Sequence, residues 1–158
     1  KDRRRQVMPP AGYTELFFLD EAVALAAGHR PCAECRRTAW EAFRAAWKAA
    51  HGGPARAPAL DAALHAARVG RGRRQIRHTA PGETLPDGAF ALHAGRPCLV
   101  RGDAVLPFAP GGYGAALPRP SGSVEVLTPA PTVAVLAAGY APALHPSCDP
   151  DRDRRAAP

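Results

Sequence analysis

Two cysteines, Cys32 and Cys35, are separated by two residues in the stretch LAAGHRPCAECRR at 25–37. This spacing allows both sulfurs to bind one metal ion, and we predict that the ion is zinc. A closed structural zinc site takes four ligands, so the pair supplies half of one. Two alternatives stay open, a redox dithiol and ordinary semi-buried cysteines. A thioredoxin-like dithiol is expected in a βαβ unit, which the flanking predicted helices do not provide.

Three further residues are candidates to complete the zinc site. His29 lies beside the pair and is the best placed of the six histidines. Cys98 lies in the strand-like PCLVR, where a small core residue is the more typical interpretation. Cys148 follows His145 in HPSC, and this short stretch could contribute a ligand pair. The sequence leaves the choice among His29, Cys98 and Cys148 open.

The sequence is basic in its first half. The formal net charge is +7, and 19 of the 21 cationic residues are arginines. Residues 1–78 contain 15 cations and 7 acidic residues, whereas residues 79–158 contain 6 and 7. Because arginine pairs with phosphate bidentately, we predict a nucleic-acid partner, DNA in particular. The candidate contacts flank the cysteine pair or occupy a glycine-spaced stretch after it: Arg30, Arg36, Arg37, Arg71, Arg73, Arg74 and Arg77. The alternative is that GC-rich coding sequence produced the arginines and that they form a solvated surface.

Local signals predict the elements that position the cysteines. Residues 13–18 alternate in β-prone types and predict a short strand. Asp20 as N-cap and Gly28 as the left-handed C′ residue predict a helix over 21–27. A second helix is predicted from the cysteines to about residue 50, with both sulfurs on one apolar stripe. Arg36 falls inside this stripe, so either regular helix begins after Arg36 or its stem extends past the site. The metal site is therefore expected to abut the core through the aromatic residues of that stripe, Trp40, Phe43 and Trp47.

The remaining sequence is rich in turns, because it contains 15 glycines and 18 prolines. We predict a helix at 59–69 and a flexible basic loop at 68–78. From residue 89, short apolar stretches predict a small antiparallel sheet with a hairpin turn at 101–103, and a short helix is predicted at 130–138. The predicted class is α+β, in four parts: a metal-binding region at 1–52, a helix and basic loop at 53–88, a β-rich region at 89–146 and a disordered tail at 147–158.

The stretch FFLDEAVALAAGHRPCAECRR resembles the metal-binding domain of the Ada family of adaptive-response DNA repair proteins. The resemblance covers residues 13–37 and rests on matches at Phe17, Phe18, Ala24, Leu25, Ala27, Gly28, Arg30, Pro31, Cys32 and Cys35. It implies a zinc knuckle and association with DNA. In that family the other two zinc cysteines lie upstream, and one of them accepts a methyl group from a DNA phosphotriester. This sequence has no cysteine before Cys32, so methyl transfer is not implied. Either an upstream segment precedes Lys1, or His29, Cys98 or Cys148 takes the vacant positions.

Several function classes find no support in the sequence. No apolar run approaches the roughly 18 residues that a membrane span needs, and no signal-peptide core follows the basic start, so we expect a soluble cytoplasmic protein. No glycine-rich phosphate loop, nucleophile elbow or carboxylate pair indicates an enzyme. The predicted function is that of a zinc-binding, DNA-associated protein. The alternatives are a structural zinc or protein-interaction domain, and an enzyme whose chemistry lies in the β-rich half.

Overall fold

A computed structural model describes residues 16–53 and 55–149. Over these residues the chain forms four α-helices and a seven-stranded antiparallel sheet, which confirms the α+β class. The helices are α1 (Glu21–Ala26), α2 (Arg37–His51), α3 (Ala57–Arg68) and α4 (Ala130–Ala137). The strands are β1 (His78–Pro81), β2 (Phe90–His93), β3 (Arg96–Arg101), β4 (Ala104–Ala109), β5 (Gly112–Tyr113), β6 (Leu117–Pro118) and β7 (Ser123–Val126). No helix in the described part of the chain is long and apolar enough to cross a membrane.

The sheet runs in the order β1-β7-β2-β3-β4-β5, and β6 pairs with β4 outside this path. The hairpin turn predicted at 101–103 is confirmed, because β3 and β4 pair with Arg101 opposite Ala104. Strand β7, the last in the sequence, lies between β1 and β2 and pairs with both of them.

The two faces of the sheet bury separate apolar clusters, as strand alternation requires. Cys98 and Val100 of β3 belong to a cluster that includes the apolar residues of α2, α3 and α4, whereas Leu99 between them belongs to the other. The second cluster contains Ala22 of α1 and Cys148. The first cluster also includes Leu25 of α1, so the short helix contributes to both.

Helix α1 matches its predicted caps. The Val23 N–H donates to Asp20 Oδ1 at 2.9 Å, and Gly28 adopts a φ of +81° two residues after the helix ends. The helix predicted at 59–69 spans Ala57–Arg68, and the one predicted at 130–138 spans Ala130–Ala137. Propensity and capping therefore predicted these three helices closely.

Two predictions near the chain ends need correction. Residues 16–18 form no strand, because β-prone side chains make one only where a partner strand is available, and none pairs with them. Residues 13–15 of that predicted strand lie outside the described residues. The predicted disordered tail begins too early, since Cys148 is buried and Ser147 Oγ accepts a hydrogen bond from the Tyr113 N–H at 2.9 Å. Residues 150–158 of that tail also lie outside the described ranges.

Candidate metal and nucleic-acid site

The cysteine pair lies in a turn that precedes α2. The Arg36 N–H donates to the Cys32 carbonyl at 3.1 Å, and regular helix begins at Arg37. Both cysteines are free and exposed. The prediction that both sulfurs are buried was therefore wrong. It assumed helical geometry at Cys32 and Cys35, but these residues form a turn. The predicted stripe was right for Trp40, Phe43 and Trp47, which are buried on one side of α2.

The two sulfurs occupy different electrostatic environments. The pKa of Cys32 is lowered by three hydrogen bonds to its sulfur. The largest effect comes from the backbone N–H of Cys35, the next from the backbone N–H of Glu34 and the third from the Cys35 thiol. The pKa of Cys35 is raised, first because its thiol is the donor to Cys32 and second by partial burial. The turn thus makes Cys32 the more readily deprotonated of the two thiols, and the thiolate is the form that binds a metal ion.

The three candidates for further ligands lie apart from the pair. Within residues 16–53 and 55–149, no three His, Cys, Asp or Glu side chains group closely enough to hold a metal ion. His29 packs against Phe18 with ring centroids 5.2 Å apart, and burial followed by the charge of Arg68 lowers its pKa. Cys98 and Cys148 are buried on opposite faces of the sheet, and burial raises the pKa of each thiol.

A cavity of about 550 Å³ adjoins the cysteine turn. Its lining includes Cys32, His29 and the segment around His145. Leu16 and Phe17 also line it, and their side chains are 56% and 86% exposed. The cysteine turn is therefore bordered by unusually exposed apolar surface.

A buried carboxylate connects the cysteine turn to the C-terminal segment. Glu21 accepts hydrogen bonds from the Tyr140 hydroxyl at 2.7 Å and from the Ala143 N–H at 2.9 Å. Arg36 lies 3.4 Å from the same carboxylate, so one acid contacts both the turn and residues about 120 positions later. Burial, and then the hydrogen bond to Glu21, raise the pKa of Tyr140.

The neighbouring carboxylate, Asp20, makes a parallel connection. It accepts from the Tyr113 hydroxyl at 2.7 Å and from the His145 N–H at 3.0 Å, in addition to capping α1. From the sequence, Asp20 was predicted only as a helix cap, and no functional role was predicted for Glu21. No local signal could have revealed these contacts, because the partners are 93 to 125 residues away along the chain.

Four of the seven predicted nucleic-acid-binding arginines pair with carboxylates of this chain. Arg30 makes a bidentate pair with Asp61, at 2.7 and 2.8 Å, and its guanidinium lies 4.5 Å from the ring centre of Trp40. The other three pairs are Arg36 with Glu21, Arg37 with Glu41 and Arg77 with Glu125. A phosphate contact by any of these arginines would compete with an existing partner.

The other three arginines, Arg71, Arg73 and Arg74, occupy the end of a short hairpin. The loop predicted to be flexible is closed by hydrogen bonds from Gly70 N–H to the Arg74 carbonyl at 2.8 Å and from Ile76 N–H to the Arg68 carbonyl at 2.7 Å. All three arginine side chains are exposed, and none has an ion-pair partner within the described residues. We call residues 68–76 the arginine hairpin.

The base of the arginine hairpin touches the segment that leads into the cysteine turn. A Cβ added to Gly28 would lie 2.3 Å from Cδ of Arg68, so the arginine stem lies directly across this glycine. The positive φ of Gly28 and this close approach both require glycine at the position. The fold therefore anchors the predicted phosphate-binding loop beside the predicted zinc knuckle.

We compared the chain with protein families, curated proteins and solved structures. No protein-family model, no curated protein and no solved structure matches the chain. What the structure itself offers is an exposed thiol pair, a cavity beside it and three exposed arginines on a short hairpin.

Proposed function

We propose that this protein binds zinc at Cys32 and Cys35 and associates with DNA through its arginine-rich surface. One observation carries the proposal: two free, exposed thiols lie in a single turn, closed by the hydrogen bond from the Arg36 N–H to the Cys32 carbonyl. Exposed free thiols persist in reducing compartments, so we place this activity in the cytoplasm. Methyl transfer is not part of the proposal, because in the Ada family it depends on an upstream cysteine.

Zinc binding is tested by metal analysis of the purified protein. In a single chain, two thiolates with water in the remaining positions hold zinc less tightly than four protein ligands, so we expect a chelator to remove zinc readily from the monomer. Replacing Cys32 with serine should abolish binding. Cys98→Ala is the matched control, because it removes a thiol from the core and leaves the turn intact. Zinc content unchanged by Cys32→Ser would refute a metal site at this turn.

The arginine hairpin supports the nucleic-acid part of the proposal. Its three arginines are not neutralised by carboxylates of the described residues, in contrast to Arg30, Arg36, Arg37 and Arg77. Each guanidinium is therefore free to pair with a phosphate oxygen without breaking an internal ion pair. We assign the principal phosphate contacts to Arg71, Arg73 and Arg74, and secondary contacts to the four paired arginines.

DNA binding is tested by fluorescence anisotropy of a labelled duplex at several salt concentrations. Each phosphate contact contributes a slope of about −0.9 in log affinity against log salt. Changing Arg71, Arg73 and Arg74 to alanine should therefore make the slope shallower by roughly three. The matched control changes three other exposed arginines, Arg56, Arg96 and Arg101, and removes the same charge. Equal slopes for the two triple variants would favour non-specific attraction and a structural zinc or protein-interaction role instead.

A further inference from the structure

The cysteine turn provides two of the four ligands that a structural zinc site requires. All four cysteines and all six histidines of the 158 residues fall within the described ranges. Among those ranges, no third donor lies close enough to complete a metal site with the pair. Cys98 and Cys148 are held in separate core clusters, so neither can join the pair while the sheet is intact.

We propose that two copies of this chain share one zinc ion, held by Cys32 and Cys35 of each copy. This inference rests on the proposed zinc binding at the turn. Both thiols are exposed, so a second copy can approach them without rearrangement of the core. A twofold axis through the metal sets two thiol pairs against each other, which suits the tetrahedral geometry of zinc. Four thiols release four protons on binding, and no electrons are transferred.

The charges around the turn favour such a shared centre. A zinc ion bound by four thiolates carries a net charge of about −2. Each copy places Arg36 and Arg37 directly after Cys35. Their ion pairs with Glu21 and Glu41 are long, at 3.4 Å, and both arginines are exposed, so a pair of copies brings four arginines close to the dianion. This attraction opposes the mutual repulsion of two chains that each carry a formal charge of +7.

Apolar surface beside the turn gives a second reason for association. Leu16 and Phe17 border the same cavity as Cys32, and in the described part of the chain Ile76 is the only other large hydrophobic side chain counted as exposed. Exposed apolar residues next to an incomplete ligand set are the surface that a second copy would cover. A second copy could therefore contact three features at this surface: the thiol pair, the flanking arginines and the side chains of Leu16 and Phe17.

The test is a titration of metal-free, reduced protein with Co²⁺, followed by visible absorption and sedimentation velocity. We expect saturation at one cobalt per two chains, the absorption of a tetrahedral tetrathiolate complex, and a doubling of the 16.6 kDa chain mass. Cys32→Ser should abolish all three signals. The control Cys98→Ala should keep them, because it leaves both ligands of the turn in place.

The outcomes separate this inference from the function on which it rests. One cobalt per monomeric chain would overturn the shared site and leave zinc binding at the turn intact. A dimer that survives chelation, or that Cys32→Ser still forms, would place the contact elsewhere and also overturn the inference. Failure to take up either Co²⁺ or Zn²⁺ would refute the proposed zinc function itself, whatever the oligomeric state.

Discussion

The Glu21–Tyr140 hydrogen bond offers a direct measure of how strongly the N-terminal helix is tied to the C-terminal segment. Glu21 is buried and accepts from the Tyr140 hydroxyl at 2.7 Å. A hydrogen bond to a charged group contributes about 1.5–3 kcal/mol, and a buried hydroxyl left without a partner costs about 1–3 kcal/mol. Tyr140→Phe removes one donor and leaves Glu21 its contacts with Ala143 and Arg36. We therefore expect Tyr140→Phe to lower the free energy of unfolding by about 1–2 kcal/mol.

Glu21→Ala removes both acceptor oxygens and leaves the Tyr140 hydroxyl and the Ala143 N–H without this partner, so we expect a loss of about 3 kcal/mol. The double variant should lose less than the sum, because both single changes disrupt the same contact. The coupling energy should then be about 1–2 kcal/mol. Urea unfolding followed by tryptophan fluorescence provides all four free energies, since Trp40 and Trp47 are buried in the adjoining core. Additivity within about 0.5 kcal/mol would refute a direct interaction between the two side chains.

Three further outcomes follow from local geometry. Gly28→Ala should lower the melting temperature, because φ is +81° and the new Cβ would lie 2.3 Å from Cδ of Arg68; an unchanged thermal transition would contradict this packing. Ala94→Asn should raise stability by about 0.5–1 kcal/mol, since Ala94 has a φ of +50° in the β2–β3 turn, where asparagine is better tolerated; calorimetry measures the shift. In metal-free protein, Cys32 should reach half its maximal alkylation rate at a lower pH than Cys35, because its pKa is lowered and that of Cys35 is raised; mass spectrometry of iodoacetamide adducts across pH distinguishes the sites.

Features encoded by neighbouring residues were predictable from the sequence. The cap at Asp20, the glycine after α1 and the β3–β4 turn each depend on a few consecutive side chains, and all three are present. Periodicity alone did not decide whether α2 begins at the cysteines or after Arg36, because a helical wheel does not show where a helix starts. The structure has the second of these starts, since Arg36, the charged residue in the apolar stripe, is the N-cap of α2.

Features encoded by distant residues were not predictable from one sequence. Residues 16–18 have strand-like composition but gain no partner strand, and Cys148 looks like part of a polar tail until the sheet is built around it. The ion pairs of the candidate arginines were likewise not predictable from the sequence. Seven arginines appeared equivalent in the sequence, yet tertiary structure pairs four of them with carboxylates, including Arg30 with Asp61 and Arg77 with Glu125.

The two adjacent carboxylates of α1 also constrain the order in which the protein can fold. Asp20 and Glu21 find their partners at Tyr113, Tyr140, Ala143 and His145, so this six-residue helix depends on contacts of very large sequence separation. A helix this short is marginal in isolation, and loop closure over such distances is slow. During synthesis, α1 and the neighbouring cysteine turn therefore cannot make these contacts until His145 has left the ribosome. Cys32 and Cys35 are therefore synthesised before Tyr113, Tyr140 and His145, and the environment that positions the two thiols is complete only when those residues are available.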